Sequence, residues 1–142
     1  MHLALFVGSG LLLASLLSFA VAIALVVSLM SRVIRTHSAE ESIWKNVAIM
    51  VVITSIMAAA HLLEIGLWAA AFWASSEMSN FEKAFYFSAQ NYTTLGCGDV
   101  VLSDRWQLLG PLEAINGMLL FGLSTAVMFA ALSRLVSGRF HT

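Results

Sequence analysis

The chain has 142 residues, of which 60 % are apolar and only 11 % charged. So few charges cannot cover a soluble domain of this size, and a mean hydropathy of +0.89 points to an integral membrane protein. A formal net charge of −1 gives no basis for binding nucleic acid.

Leu3 to Ser31 carries no charged side chain and exceeds the roughly 20 residues that cross a bilayer. A cleaved signal peptide fits poorly, because Met1 to Ala4 holds no Lys or Arg and the apolar run is too long. Residues 1–31 therefore read as an additional N-terminal transmembrane helix. Gly10, Ala14, Ser18 and Ala22 recur every four residues along it. Such a stripe either docks the helix closely against the rest of the protein or a neighbouring subunit, or arises by chance in a Leu/Ala/Ser-rich helix. Residues 32–45 form a connection with Arg32, Arg35 and Lys45. A second span covers 43–73 and is interrupted by His61 and Glu64. Residues 80–92 are too short to cross and fit a short helix re-entering the membrane, followed by Thr-Thr-Leu-Gly-Cys-Gly-Asp at 93–99. A third span covers 106–136, with Pro111 in its first turns and Glu113 soon after.

Five of the seven basic residues lie in the first connection or near the C-terminus: Arg32, Arg35, Lys45, Arg134 and Arg139. Only Lys83 and Arg105 lie between the second and third spans. This bias predicts a multi-pass cell-membrane protein with its N-terminus outside and its C-terminus cytoplasmic. No linker or repeat marks a second domain, and no ligand-binding regulatory domain is expected. No span carries the arginine ladder of a voltage sensor.

His61 and Glu64 are three residues apart and share a helical face. They suit either a metal site, which would make the chain a membrane metal or redox protein, or a buried polar pair. Only two ligands favour the pair. Counted from the helix ends, Glu64 and Glu113 each lie roughly 13 Å deep, about level with the 80–92 segment. His61, Glu64 and Glu113 are therefore expected to contact one another or Gln90 and Asn91. Cys97 is the only cysteine, so no intrachain disulfide can form.

The segment from Ala84 to Asp99, an aromatic-rich stretch running into T-x-G-x-G-D between two apolar spans, resembles the pore helix and selectivity filter of the potassium-channel superfamily. It is most similar to small bacterial channels with two membrane helices around one pore loop. The resemblance implies an all-α membrane protein with three transmembrane helices, a re-entrant pore helix and a filter, assembling as a homotetramer. Residues 46–137 would be the pore domain, with outer helix 43–73, pore helix 80–92, filter 93–99 and inner helix 106–136. The expected function is passive K+ conduction, with no enzymatic activity and no cofactor beyond the permeant ion. The carbonyls of Leu95, Gly96, Cys97 and Gly98 and the hydroxyl of Thr94 would bind ions, with Gly96 and Gly98 supplying left-handed backbone. Tyr86, Gln90, Asn91, Thr93 and Asp99 would support the filter, Tyr86 by donating to Asp99. Gly117 would lie near the gating hinge, and Met118, Phe121, Thr125 and Phe129 would line the inner cavity. Their three- and four-residue spacing also fits plain core packing. Acid acting on His37 or His141 is one candidate stimulus for opening. The family has Tyr between the filter glycines where this chain has Cys97, and Val where it has Leu95. A weakly selective Na+/K+ channel is therefore the alternative.

Overall fold

The computed structural model describes residues 2–36, 43–98 and 100–137; His37, Asp99, Arg139 and His141 lie outside them. It contains four helices, α1 (His2–Thr36), α2 (Ile43–Ala74), α3 (Phe81–Tyr92) and α4 (Leu109–Ser137). Three of these, α1, α2 and α4, are long and apolar enough to cross a membrane. The 32 residues of α2 rise about 48 Å, more than the roughly 30 Å of a hydrocarbon core.

Two helix ends differ from the sequence expectation by more than one residue. α1 continues five residues past Ser31, since Arg32 to Thr36 contains no Gly or Pro to stop it. α4 begins at Leu109 rather than Trp106. The N–H groups of Trp106 and Gln107 both donate to the Ser103 carbonyl, each at 2.9 Å, which makes a turn ahead of the helix.

α3 is short and firmly bounded. Asn80 caps its start, with extended backbone and a side-chain oxygen that accepts from the Lys83 N–H at 2.9 Å. Glu82 in the first turn complements the helix dipole. α3 packs against both α2 and α4, and so does α1.

The face by which α1 docks is built from Ala4, Gly8, Ser15, Phe19, Val26 and Met30, all buried. α4 comes close at Gly8, where a Cβ would stand 2.4 Å from Leu112 Cδ1. The four-residue stripe does not make this contact as a unit. Around Gly10 nothing lies within 4 Å, and Ala14 is exposed. Ala22 packs partly on the core. Ser18 instead bonds Glu64 Oε1 of α2, and one turn away the Trp68 indole donates to Ser15 Oγ at 3.2 Å. These side-chain hydrogen bonds join α1 to α2 in addition to packing.

Two apolar clusters form the interior. One joins Phe19, Ile53, Met57, Tyr92 and Leu120 across all four helices. The other gathers Trp68, Phe72, Phe87, Leu102 and Leu109 around α3. Leucine, valine and phenylalanine side chains remain exposed along α1, α2 and α4. Apolar exposure on this scale suits a lipid environment.

Candidate functional site

The segment after α3 begins as a helix cap. Thr94 N–H donates to the Asn91 carbonyl at 2.9 Å and Leu95 N–H to the Gln90 carbonyl at 2.9 Å. This is the paired pattern of a Schellman ending, in which one residue takes left-handed backbone. That residue is Thr94, with φ +60. Glycine usually fills such a position, and left-handed backbone costs other residues on the order of 1–2 kcal/mol. Thr93 adds a hydroxyl bond to the Ala89 carbonyl at 2.7 Å.

Left-handed backbone then recurs at Gly96 (φ +53) and Gly98 (φ +74), while Leu95 and Cys97 have no positive φ. Handedness therefore alternates from Thr94 to Gly98. The sequence predicted the two glycines; Thr94 was missed because a β-branched residue rarely takes this conformation. Among the described residues, no donor reaches the carbonyl oxygens of residues 94–98. Leu95 and Cys97 are exposed, and a Cβ built at Gly96 or Gly98 would meet nothing within 4 Å. The result is a strip of carbonyls, without partners among the described residues, on an exposed segment of the chain.

Gln90 is buried behind this strip, with no partner for Nε2 among the described residues. Asn91 Nδ2 donates to the Phe87 carbonyl at 2.9 Å, and Asn91 lies against Gly110 of α4. Tyr86 is exposed, and the Asp99 expected to meet it falls outside the described residues. A clasp not foreseen from the sequence joins the two turns at this end of the fold. Glu77 accepts from Ser103 N–H at 2.8 Å and from Ser103 Oγ at 2.7 Å, tying the α2–α3 turn to the loop before α4.

The buried polar residues have other partners than expected. His61, Glu64 and Glu113 do not pair with one another, nor with Gln90 or Asn91. His61 Nδ1 lies 2.8 Å from the Tyr92 hydroxyl, and Nε2 lies 3.1 Å from Ser124 Oγ. Glu64 bonds Ser18, and Glu113 bonds Ser88. Ser88 Oγ also donates to the Ile65 carbonyl at 2.8 Å, so one α3 hydroxyl joins α2 and α4. Ser88 of α3 does lie level with both carboxyl-bearing turns, bonding Glu113 and the carbonyl of Ile65 next to Glu64. The partners were missed because serine and tyrosine hydroxyls carry almost no sequence signal in an apolar helix. His61 and Glu64 thus face different elements. Among the described residues, no group of three or more His, Cys, Asp or Glu could hold a metal.

Gly117 is a close-approach position. A Cβ there would stand 2.0 Å from the Tyr92 carbonyl oxygen, so α4 rests directly on the end of α3. Met118, Phe121, Thr125 and Phe129 are all exposed in the single chain, Phe129 by 70 %.

The family model described as "Ion channel" matches residues 49–134, more than half of the chain. No curated protein and no solved structure matches it.

Proposed function

Since the chain belongs to the ion channel family, with a potassium-channel type of pore domain over residues 49–134, we propose that it is the pore-forming subunit of a homotetrameric K+ channel. The observation that carries this reading is the alternating backbone of Thr94 to Gly98, whose carbonyls have no partner among the described residues. A backbone carbonyl removed from water needs a partner. A dehydrated cation at the centre of a ring of such carbonyls supplies one. One chain offers a single strip, and four-fold symmetry closes the ring.

In this reading α3 is the pore helix, re-entrant between outer helix α2 and inner helix α4, and residues 93–99 are the filter. Thr94 contributes its hydroxyl, and Leu95, Gly96, Cys97 and Gly98 their carbonyls. Tyr86, Gln90, Asn91, Thr93 and Asp99 are assigned to the filter's support. Met118, Thr125 and Phe129 turn from the open face of α4 toward the central cavity, while the ring of Phe121, also expected there, lies against His61 and Tyr92. The chain is a multi-pass membrane protein; the charge bias supports placement in the cell membrane with the N-terminus outside and the C-terminus cytoplasmic. Transport is passive and needs no cofactor.

A weakly selective Na+/K+ channel is the second reading, and Cys97 is the feature that favours it. The small exposed thiol provides no aromatic bulk to hold the carbonyl spacing. Reversal potentials in a planar bilayer, with K+ on one side and Na+ on the other, decide between them. A potential near the K+ equilibrium value supports the first reading and one near zero the second. Absence of any cation current from reconstituted protein would overturn both.

A further inference from the structure

His61 lies where three elements of the pore domain meet. It stands on α2, with Tyr92 at the end of α3 on one side and Ser124 of α4 on the other. Its ring also lies 4.5 Å from that of Phe121 and 5.1 Å from that of Phe19. Hydrogen-bond bookkeeping assigns its tautomer. Ser124 has one hydroxyl proton and donates it to the Phe121 carbonyl at 3.0 Å. Ser124 Oγ therefore accepts from His61 Nε2–H. Nδ1 then carries the lone pair and accepts from the Tyr92 hydroxyl. The opposite tautomer would leave the Tyr92 O–H without an acceptor in a fully buried residue.

The two bonds lead to different parts of the channel. Tyr92 is the last residue of α3 and directly precedes Thr93 and Thr94, which turn the chain into the carbonyl strip. Ser124 lies two turns beyond Gly117, where α4 rests on the Tyr92 backbone. A tilt or slide of α4 changes the distance to Ser124 while the bond from α2 to Tyr92 stays in place. We propose that His61 is a positioning residue with two separable roles: Nδ1 fixes the base of the filter through Tyr92, and Nε2 latches the inner helix through Ser124. The inference rests on the channel reading and adds to it a point where filter and inner helix share one support.

The geometry of the ring supplies the test. In His61→Asn the side-chain oxygen stands where Nδ1 stood, keeping an acceptor for Tyr92 and losing the bond to Ser124. In His61→Gln the amide N–H2 stands where Nε2 stood, keeping a donor for Ser124 and losing the bond to Tyr92. Both are compared with wild type in bilayer recordings, after tetramer formation is checked. His61→Asn is expected to keep the K+/Na+ permeability ratio and to shift the closed–open equilibrium about fivefold, the scale of one hydrogen bond. His61→Gln is expected to keep that equilibrium and to change the permeability ratio by a similar factor. Tyr92→Phe should reproduce the Gln result and Ser124→Ala the Asn result. This second pair carries the test if a His61 variant does not assemble. A merely structural histidine would lower melting temperature without splitting the two readouts. Variants that shift both readouts together, or neither, overturn the proposal. Wild-type protein that carries no cation current overturns the channel reading itself, a distinguishable result.

Discussion

Gly117 and Gly122 sit five residues apart on α4 in different surroundings. Gly117 leaves no room for a methyl group against the Tyr92 carbonyl, whereas nothing lies within 4 Å of a Cβ at Gly122. Gly117→Ala should therefore destabilise the protein by about 1–3 kcal/mol, the range for overpacking a tight contact. Gly122→Ala should stay within about 1 kcal/mol of wild type. Melting curves in one detergent check the pair, and equal melting would mean that α4 does not rest on α3 as described. A second contrast lies in the filter segment. Thr94 holds left-handed backbone because two cap bonds at 2.9 Å, its own and that of Leu95, fix it. Gly96 has only a longer bond, 3.3 Å to the Gln90 carbonyl. Gly96→Ala should therefore let the chain turn away from its alternating path, abolishing current while leaving membrane insertion intact. Wild-type current from Gly96→Ala would show that ions pass elsewhere.

At the scale of elements, Ser88 is the joint between α2, α3 and α4. Its hydroxyl reaches both the Ile65 carbonyl and Glu113 Oε1, so its bonding capacity is met only when position 113 carries a polar group. Glu113→Gln supplies an amide donor of nearly the same shape. Glu113→Leu supplies none, and it strands a buried hydroxyl oxygen at a cost of about 1–3 kcal/mol. The Gln variant should melt above the Leu variant; equal melting would argue against the joint. The elements themselves were legible in the sequence. Three long apolar runs and a short aromatic-rich stretch over 80–92 predicted the four helices, with end errors of a few residues; the Asn80 cap emerged only from the fold. Helix ends depend on local turns such as the one around Ser103, which apolar periodicity does not register. The contacts between elements were less legible. Carboxylates in a span announce buried partners, but several serines and tyrosines could fill that role. Only the packing of α1 and α3 singles out Ser18, Ser88, Tyr92 and Ser124.

At the scale of the whole molecule, a single chain leaves its carbonyl strip and much apolar surface uncovered. A mass measurement in mild detergent should find four copies. Monomers or dimers alone, under lipid-like conditions, would sink the tetrameric reading. Within the tetramer, Cys97→Tyr should raise both the K+/Na+ permeability ratio and the melting temperature, because an aromatic ring fills space beside the strip that a thiol leaves slack. Identical values for the two proteins would mean that other residues already brace the strip. Here too the sequence showed the departure from the family pattern without its setting. That Cys97 is exposed, and Gln90 buried with an amide that has no partner among the described residues, emerged only from the fold.

The bonds from Ser15 and Ser18 to Trp68 and Glu64 also bear on how the protein is made. Ribosomes deliver α1 before α2. When α2 reaches the insertion machinery it carries His61 and Glu64, and an acidic residue near a helix centre adds about 2.5–3.5 kcal/mol to the cost of entering lipid. With α1 already in place, the Ser18 hydroxyl would give Glu64 a partner, and the first helix would then assist the insertion of the second. Ser18→Ala should accordingly lower the fraction of chains in which α2 is correctly inserted, as read by glycosylation of an acceptor site placed after α2. Unchanged insertion would confine the Ser18 bond to the finished fold.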